Sequence, residues 1–167
     1  MISKLKKAVL IEFQKHSKLE IVFKDGVNII GGSSRRGKSC VRRAIGWVCF
    51  DEKIDNIRKE GSKKTSVKLF FDGDIELEKV RSSSINRYVL TIKGKEKIFD
   101  AIGKEMPEEI KEVLGLYTIS IEKEVINLNV AKQITMPFLL DKSGSFRMKL
   151  FNQLTGNDLQ DKLLVSF

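Results

Sequence analysis

Proline is scarce: 2 of 167 residues, with no low-complexity tract beside them, so the chain is neither a disordered polymer nor a jointed array. Cysteine is equally sparse. Cys40 and Cys49 are too few for a disulfide framework or a thiolate metal site, and they point to a reducing, cytoplasmic setting. His16 is the one histidine. With no cysteine or acidic cluster near it in sequence, it reads as a turn or packing residue rather than a ligand or base. Nothing approaches the ~20 apolar residues of a membrane span. Ala8-Val9-Leu10-Ile11 is cut short by Glu12 and Lys15, which excludes a secretory signal. No internal repeat is present, and 41% hydrophobic with 32% charged residues fits one compact soluble domain. Acids are outnumbered, 22 against 31 Lys and Arg, leaving a formal charge of +9. That balance suits a polyanionic partner.

Against this plain background one motif stands out. Gly32-Ser33-Ser34-Arg35-Arg36-Gly37-Lys38-Ser39 spells a complete phosphate-binding loop, G-x-x-x-x-G-K-S. The turn pair Asp25-Gly26 introduces Val27-Asn28-Ile29-Ile30, a β-branched run that reads as a buried strand. Downstream, Val41, Ala44, Ile45 and Val48 recur at helical spacing, so a helix is expected to begin at the loop. The glycines let successive N–H groups turn inward toward phosphate oxygens, and the helix N-terminus adds unpaired donors. Lys38 is expected on the β- and γ-phosphates of ATP, and the Ser39 hydroxyl in a Mg²⁺ shell. The backbone N–H of Cys40 is expected to face the α-phosphate. Arg35, Arg36, Arg42 and Arg43 add cations around the loop.

The rest of the chain sorts into strands and then helices. Ala8-x-Leu10 and Leu19-x-Ile21-x-Phe23 alternate as two strands joined by a polar turn around His16. After the polar stretch Asp51 to Lys64, Val67-x-Leu69-x-Phe71 and Ile75-x-Leu77 flank Asp72-Gly73, a two-residue hairpin signal. Tyr88 to Ile92 and Lys97 to Phe99 continue as strands around Lys93-Gly94-Lys95. Pro107-Glu108-Glu109 starts a helix that Gly115 stops. Ile119 to Leu128 reads as one strand, Phe146 to Leu154 as a short helix, and Leu159, Leu163 and Leu164 as the beginning of another.

The order of these pieces resembles the N-terminal half of the ATPase head of SMC-like ABC ATPases, of the SbcC and phage recombination-exonuclease type in the double-strand-break repair group. The stretches that carry it span nearly the whole chain. They are Leu10 to His16, Asp25 to Ile30, Arg42 to Val48, Ile57-Arg58-Lys59-Glu60-Gly61, Met106 to Ile110 with Val113-Leu114-Gly115, Ala131 to Ile134 with Pro137 to Leu140, and Leu154-Thr155-Gly156. The resemblance implies an α/β P-loop NTPase fold, an ABC-ATPase-like half-head with an antiparallel β subdomain. Residues 1–156 would form the N-terminal lobe, and residues 157–167 the start of a coiled-coil helix. Gln133 would be the Q-loop glutamine, touching Mg²⁺ and the attacking water, and Arg58 a structural or DNA-facing arginine. Arg35 and Arg36 depart from the family pattern, which has a small or acidic residue in at least one of those positions.

Two family parts have no counterpart in the sequence: a Walker B strand ending Asp-Glu, and an L-S-G-G-Q-type signature. Val67 to Asp72 and Phe138 to Asp141 are apolar runs closed by aspartate, but the first runs into a hairpin turn and the second into Lys142-Ser143-Gly144. The expectation is therefore an ATP-binding lobe acting in DNA repair or recombination. It would need a complementary C-terminal lobe and a second head for hydrolysis, with double-stranded DNA and a nuclease subunit as further partners and no membrane. The alternatives are a self-contained P-loop phosphotransferase using Asp72 or Asp141, and a non-catalytic DNA-binding or assembly module.

Overall fold

The computed structural model describes residues 3–100, 106–116, 118–121, 124–127, 129, 140 and 142–155. Those residues fall into two units, 1–115 and 116–167.

In the first unit, alternating apolar residues build a six-stranded antiparallel sheet. Its strands are β1 (Leu5–Phe13), β2 (His16–Val22), β3 (Lys64–Phe71), β4 (Ile75–Ser82), β5 (Asn86–Ile92) and β6 (Lys95–Phe99), in the spatial order β2-β1-β3-β4-β5-β6. Ala8, Leu10, Val67, Leu69, Leu77 and Leu90 are fully or almost fully buried on one face. Register pairs them across strands: Leu10 with Val67, Ala8 with Leu69, Leu69 with Leu77, Leu77 with Leu90. Two helices belong to this unit, α1 (Lys38–Phe50) and α2 (Glu108–Leu114). From α1, Val41, Ala44, Trp47 and Val48 enter the core, as the helical spacing requires. The Trp47 ring meets Phe13 with centroids 5.8 Å apart. Burying side chains of this size stabilises the fold by about 1.5–3 kcal/mol each.

The turns follow their chemistry. Lys93 and Gly94 both take positive φ, 47° and 78°, giving the primed two-residue turn whose twist matches the flanking strands. The β3–β4 connection is longer than its Asp-Gly signal suggests. Phe71 pairs with Ile75, so Asp72, Gly73 and Asp74 form a three-residue loop, with Gly73 and Asp74 left-handed. The Pro107 to Gly115 segment behaves as expected: α2 starts after Pro107 and stops at Gly115, whose φ of 63° is left-handed.

One expectation fails in this unit. Val27 to Ile30 is not a buried strand; Val27 is 92% and Ile29 89% exposed, and neither belongs to the sheet. The turn before them is nonetheless built, because Asn28 Oδ1 accepts from Lys24 N at 2.9 Å and its amide donates to Lys24 O at 2.8 Å. A strand needs neighbours to pair with, and no described strand lies beside this segment.

The second unit holds the hairpin β7 (Thr118–Ile121) and β8 (Glu124–Asn127) with α3 (Gly144–Thr155). Ile119, Ile121, Phe146 and Leu150 form its core. The single strand expected over Ile119 to Leu128 is two among the described residues, with Ile121 pairing back to Glu124. The beginning of a coiled-coil helix from Asn157 lies outside the described residues.

Candidate phosphate-binding site

The loop between residues 31 and 37 is bent by positive φ at Gly32 (143°), Arg35 (61°) and Gly37 (85°). At two of these positions glycine removes the steric penalty an L side chain would meet. Gly37 is also the cap of α1. No side chain caps that helix, and its first turn carries no acid. Leading amides without a side-chain partner, next to a dipole's positive end, are what an anion requires.

The Lys38 ammonium folds back over the loop and donates to Gly32 O and Ser33 O, both at 2.6 Å. Ser39 follows, half-buried in the first turn. Gly32, Ser33, Ser34, Arg35 and Arg36 are all exposed, so the concave side stays open to a solute. The Cys40 N–H donates to Gly37 O at 2.9 Å, closing the first turn of the helix, and its side chain is buried. Gln133 lies outside the described residues.

The β1–β2 turn supports the loop from the side. Lys15 Nζ donates to Arg35 O at 3.2 Å, and His16 Nε2 lies 3.2 Å from Gly37 O. The sequence reading of His16 as a turn or packing residue is right, but its packing partner is the phosphate loop itself. No spacing rule could have revealed this, because 21 residues separate His16 from Gly37.

The far end of α1 carries a residue that sequence reasoning passed over. Lys79 on β4 is only 1% exposed and faces the helix. Its ammonium donates to Trp47 O at 3.0 Å, pairs with the Asp51 carboxylate, and sits 4.8 Å from the Trp47 ring and 4.7 Å from the Tyr88 ring. Burial pulls its pKa below the ordinary lysine value, with Asp51 opposing the shift. The same low-polarity surroundings push the Cys49 thiol up to about 12. A lysine in an alternating strand pattern reads as solvent-facing; here its register beside Tyr88 and Val67 turns it inward.

Asp72, the carboxylate of the phosphotransferase alternative, sits at the wrong end of the sheet. Ile11 pairs with Ser66, so the Phe13–His16 end that touches the loop aligns with the start of β3. Asp72 follows the last residue of β3, about 27 Å away at a rise of ~3.4 Å per residue, where it accepts from Lys4 N at 2.8 Å. Asp141 lies outside the described residues.

A glycine-bent loop opening onto an uncapped helix, beside an antiparallel sheet, defines a P-loop nucleotide-binding lobe. A family model described as an AAA domain matches residues 7–163. The chain belongs to this AAA domain family. It is 26% identical over 161 residues to a DNA double-strand break repair Rad50 ATPase of Thermoplasma volcanium, covering 89% of this chain and 17% of that relative. A Rad50 ATPase of Nanoarchaeum equitans is 21% identical over 164 residues, with 94% and 21% covered. The DNA replication and repair protein RecF of Clostridioides difficile is 30% identical over 121 residues, with 71% and 31% covered. A solved structure concerning ATP-driven dimerization and DNA-stimulated activation of SMC ATPases superposes with a TM-score of 0.52 at 20% identity, over 66% of this chain and 77% of that one. The fold is therefore shared with SMC ATPases, and the resemblance to the N-terminal half of an SMC- or Rad50-like head stands. The chain spans about a fifth of the length of the Rad50 relatives, 17% and 21%. Among the described residues no helix is long and apolar enough to cross a membrane.

Proposed function

We propose that this chain is the ATP-binding lobe of a Rad50/SMC-like ATPase that acts on DNA in repair or recombination. The observation that supports the reading is a loop bent by positive φ at Gly32, Arg35 and Gly37 beside an apolar segment, Val27 to Ile30, that has no strand to pair with among the described residues. The first feature binds nucleotide. The second leaves room for a partner, and a complementary C-terminal lobe would supply both sheet neighbours and the acidic residues of hydrolysis.

In this reading the loop amides and Lys38 hold the phosphates. Ser39 gives one oxygen to Mg²⁺, which would spread the phosphate charge when bound. Gln133, by family resemblance, orients water at the γ-phosphate. A second head would close over the nucleotide, and a nuclease subunit would take the output. The residues of this chain bind and position; they do not complete the reaction.

Binding of a fluorescent ATP analogue with Mg²⁺ tests the proposal. Wild type should bind and Lys38→Ala should lose most of the affinity without a shift in thermal unfolding. Turnover by the chain alone should fall far below the roughly 1 per second of a complete phosphoryl-transfer site. Equal affinity in the two proteins would leave a non-catalytic module, and turnover at that rate would remove the half-site argument.

A further inference from the structure

The six-stranded sheet packs one face against α1. Register sets what the opposite face carries. Its central row runs Glu20, Val9, Lys68, Glu78, Val89 and Ile98, in order from β2 to β6. Ile11, Val22 and Ile98 lie on this face. Among the described residues of the first unit, they are the large apolar side chains left exposed outside Val27 to Ile30. Charge on the same face is divided along the strands. On β1, β2 and β3 the outward charges are Lys7, Lys18, Lys64 and Lys68 against Glu20. On β4, β5 and β6 they are Glu76, Glu78 and Glu96 against Arg87. One half is therefore basic and the other acidic, in a chain whose formal charge is +9. The boundary falls between β3 and β4. There Lys68 reaches Glu76 at 2.6 Å instead of its register partner Glu78, and the Phe70 ring lies 5.2 Å from both the Lys7 and the Lys68 ammonium groups.

We infer that this face docks on the same face of a second copy of this chain, about a two-fold axis running along the strands between β3 and β4. An axis in that direction lays the basic half of each copy over the acidic half of the other. An axis across the strands would set like charges together. In the central row the first arrangement brings Lys68 over Glu78 of the second copy and Val9 over its Val89, and symmetry repeats each contact. Stacked sheets lie about 10 Å apart and about 30° askew, so the row at the centre of the face keeps its pairing best. The exposed isoleucines and Val22 lose water in the same contact. The acidic half repels a polyanion, which sets nucleic acid aside as the occupant. Neither Lys68 nor Glu78 belongs to the phosphate loop, so this contact is separate from closure of two heads over nucleotide.

Sedimentation equilibrium of the full chain without nucleotide tests the docking. Wild type should show a monomer–dimer equilibrium that weakens with added salt. Lys68→Glu sets acids together across the axis and Glu78→Lys sets lysines together, so each variant alone should dimerise at least about tenfold more weakly. An equal mixture of the two variants should recover dimerisation, because both cross-axis pairs are then of opposite sign. A fold merely damaged by the substitutions would give no such recovery. Both variants should bind the ATP analogue as wild type does. A wild type that stays monomeric at high micromolar concentration would overturn the docking, as would single variants that dimerise like wild type or a mixture that fails to recover. A dimer that forms only with Mg²⁺ and ATP would also overturn it, and would leave the nucleotide-binding reading standing. A monomeric wild type whose complex with the C-terminal lobe of a Rad50-type relative is lost in Lys68→Glu would give the face to that lobe and overturn the assignment to a second copy.

Discussion

The Lys79 ammonium donates to the Trp47 carbonyl across 3.0 Å of otherwise apolar core, joining β4 to the last turn of the helix whose first turn forms the phosphate loop. The final carbonyls of a helix lack intrahelical donors. Here a strand supplies one from the side, and the same ammonium holds Asp51, which reverses the chain in a left-handed conformation at φ 51°. The two ends of α1 are thus fixed by different means: a carbonyl and ring contact from the β1–β2 turn at Gly37, and a buried cation at Trp47.

Lys79→Met keeps the aliphatic packing and removes the donor. It should destabilise the lobe by about 2–3 kcal/mol, because Trp47 O and Asp51 lose their partner in a largely dry site. The dependence on pH has a definite sign. The folded-state pKa of Lys79 is lowered below its ordinary 10.5, so between those two values the unfolded chain binds more protons and stability rises with pH. Cys49 acts oppositely: its pKa rises from 9.0 to about 12, so its contribution falls across that range. Urea unfolding of wild type and Lys79→Met, both carrying Cys49→Ser, should therefore show a difference in stability that changes as pH approaches 10.5. A difference that stays constant with pH would mean that Lys79 does not titrate there.

Gly37→Ala should lose nucleotide affinity for two separable reasons. A Cβ at this position would lie 2.5 Å from His16 Nε2, and the backbone holds φ at 85°. The strain of a left-handed alanine is about 1–2 kcal/mol, and the clash adds to it. The expected loss in ATP-analogue affinity is at least tenfold. His16→Ala in the same chain should recover the steric part and leave the backbone part. Absence of any recovery in this double-mutant cycle would show that His16 does not press on the loop.

Gly46→Ala sets a helix gain against a contact. Alanine is favoured over glycine inside a helix by about 1 kcal/mol. Its Cβ would collide with Glu52 Oε2, displacing the carboxylate that pairs with Arg42 at 2.8 Å. That carboxylate ends a flexible side chain on a partly exposed pair worth no more than about 1 kcal/mol. Thermal unfolding should show a change within about 1 kcal/mol, and Gly46→Ala/Glu52→Gln should be more stable than Glu52→Gln alone.

Most of this lobe was legible because its signals are local. The loop motif, the Lys93-Gly94 turn, the alternation in β3 and β5, and the Pro107 to Gly115 helix each depend on neighbours within a few residues. What escaped was long-range. Lys79 looks like a surface residue until register places it beside Tyr88, and His16 meets Gly37 only after the β1–β2 hairpin folds. Val27 to Ile30 was misread for the reverse reason: its residues prefer a strand, while pairing depends on partners that no local pattern supplies.

That same segment offers the sharpest test of the half-head. Val27 and Ile29 are almost fully exposed, so replacing either with lysine removes no contact among the described residues. Surface changes of this kind shift stability by less than about 0.5 kcal/mol, so Val27→Lys and Ile29→Lys should unfold like wild type and remain at least as soluble. Their effect should emerge only on assembly. If a complementary lobe pairs with this segment, a lysine there would be buried among apolar side chains, at a penalty of several kcal/mol. Co-expression with the C-terminal lobe of a Rad50-type relative, followed by size-exclusion chromatography, should give a complex with wild type and separate peaks with either variant. Co-elution of the variants as complete as that of wild type would mean that the apolar segment is not the seam between the two lobes.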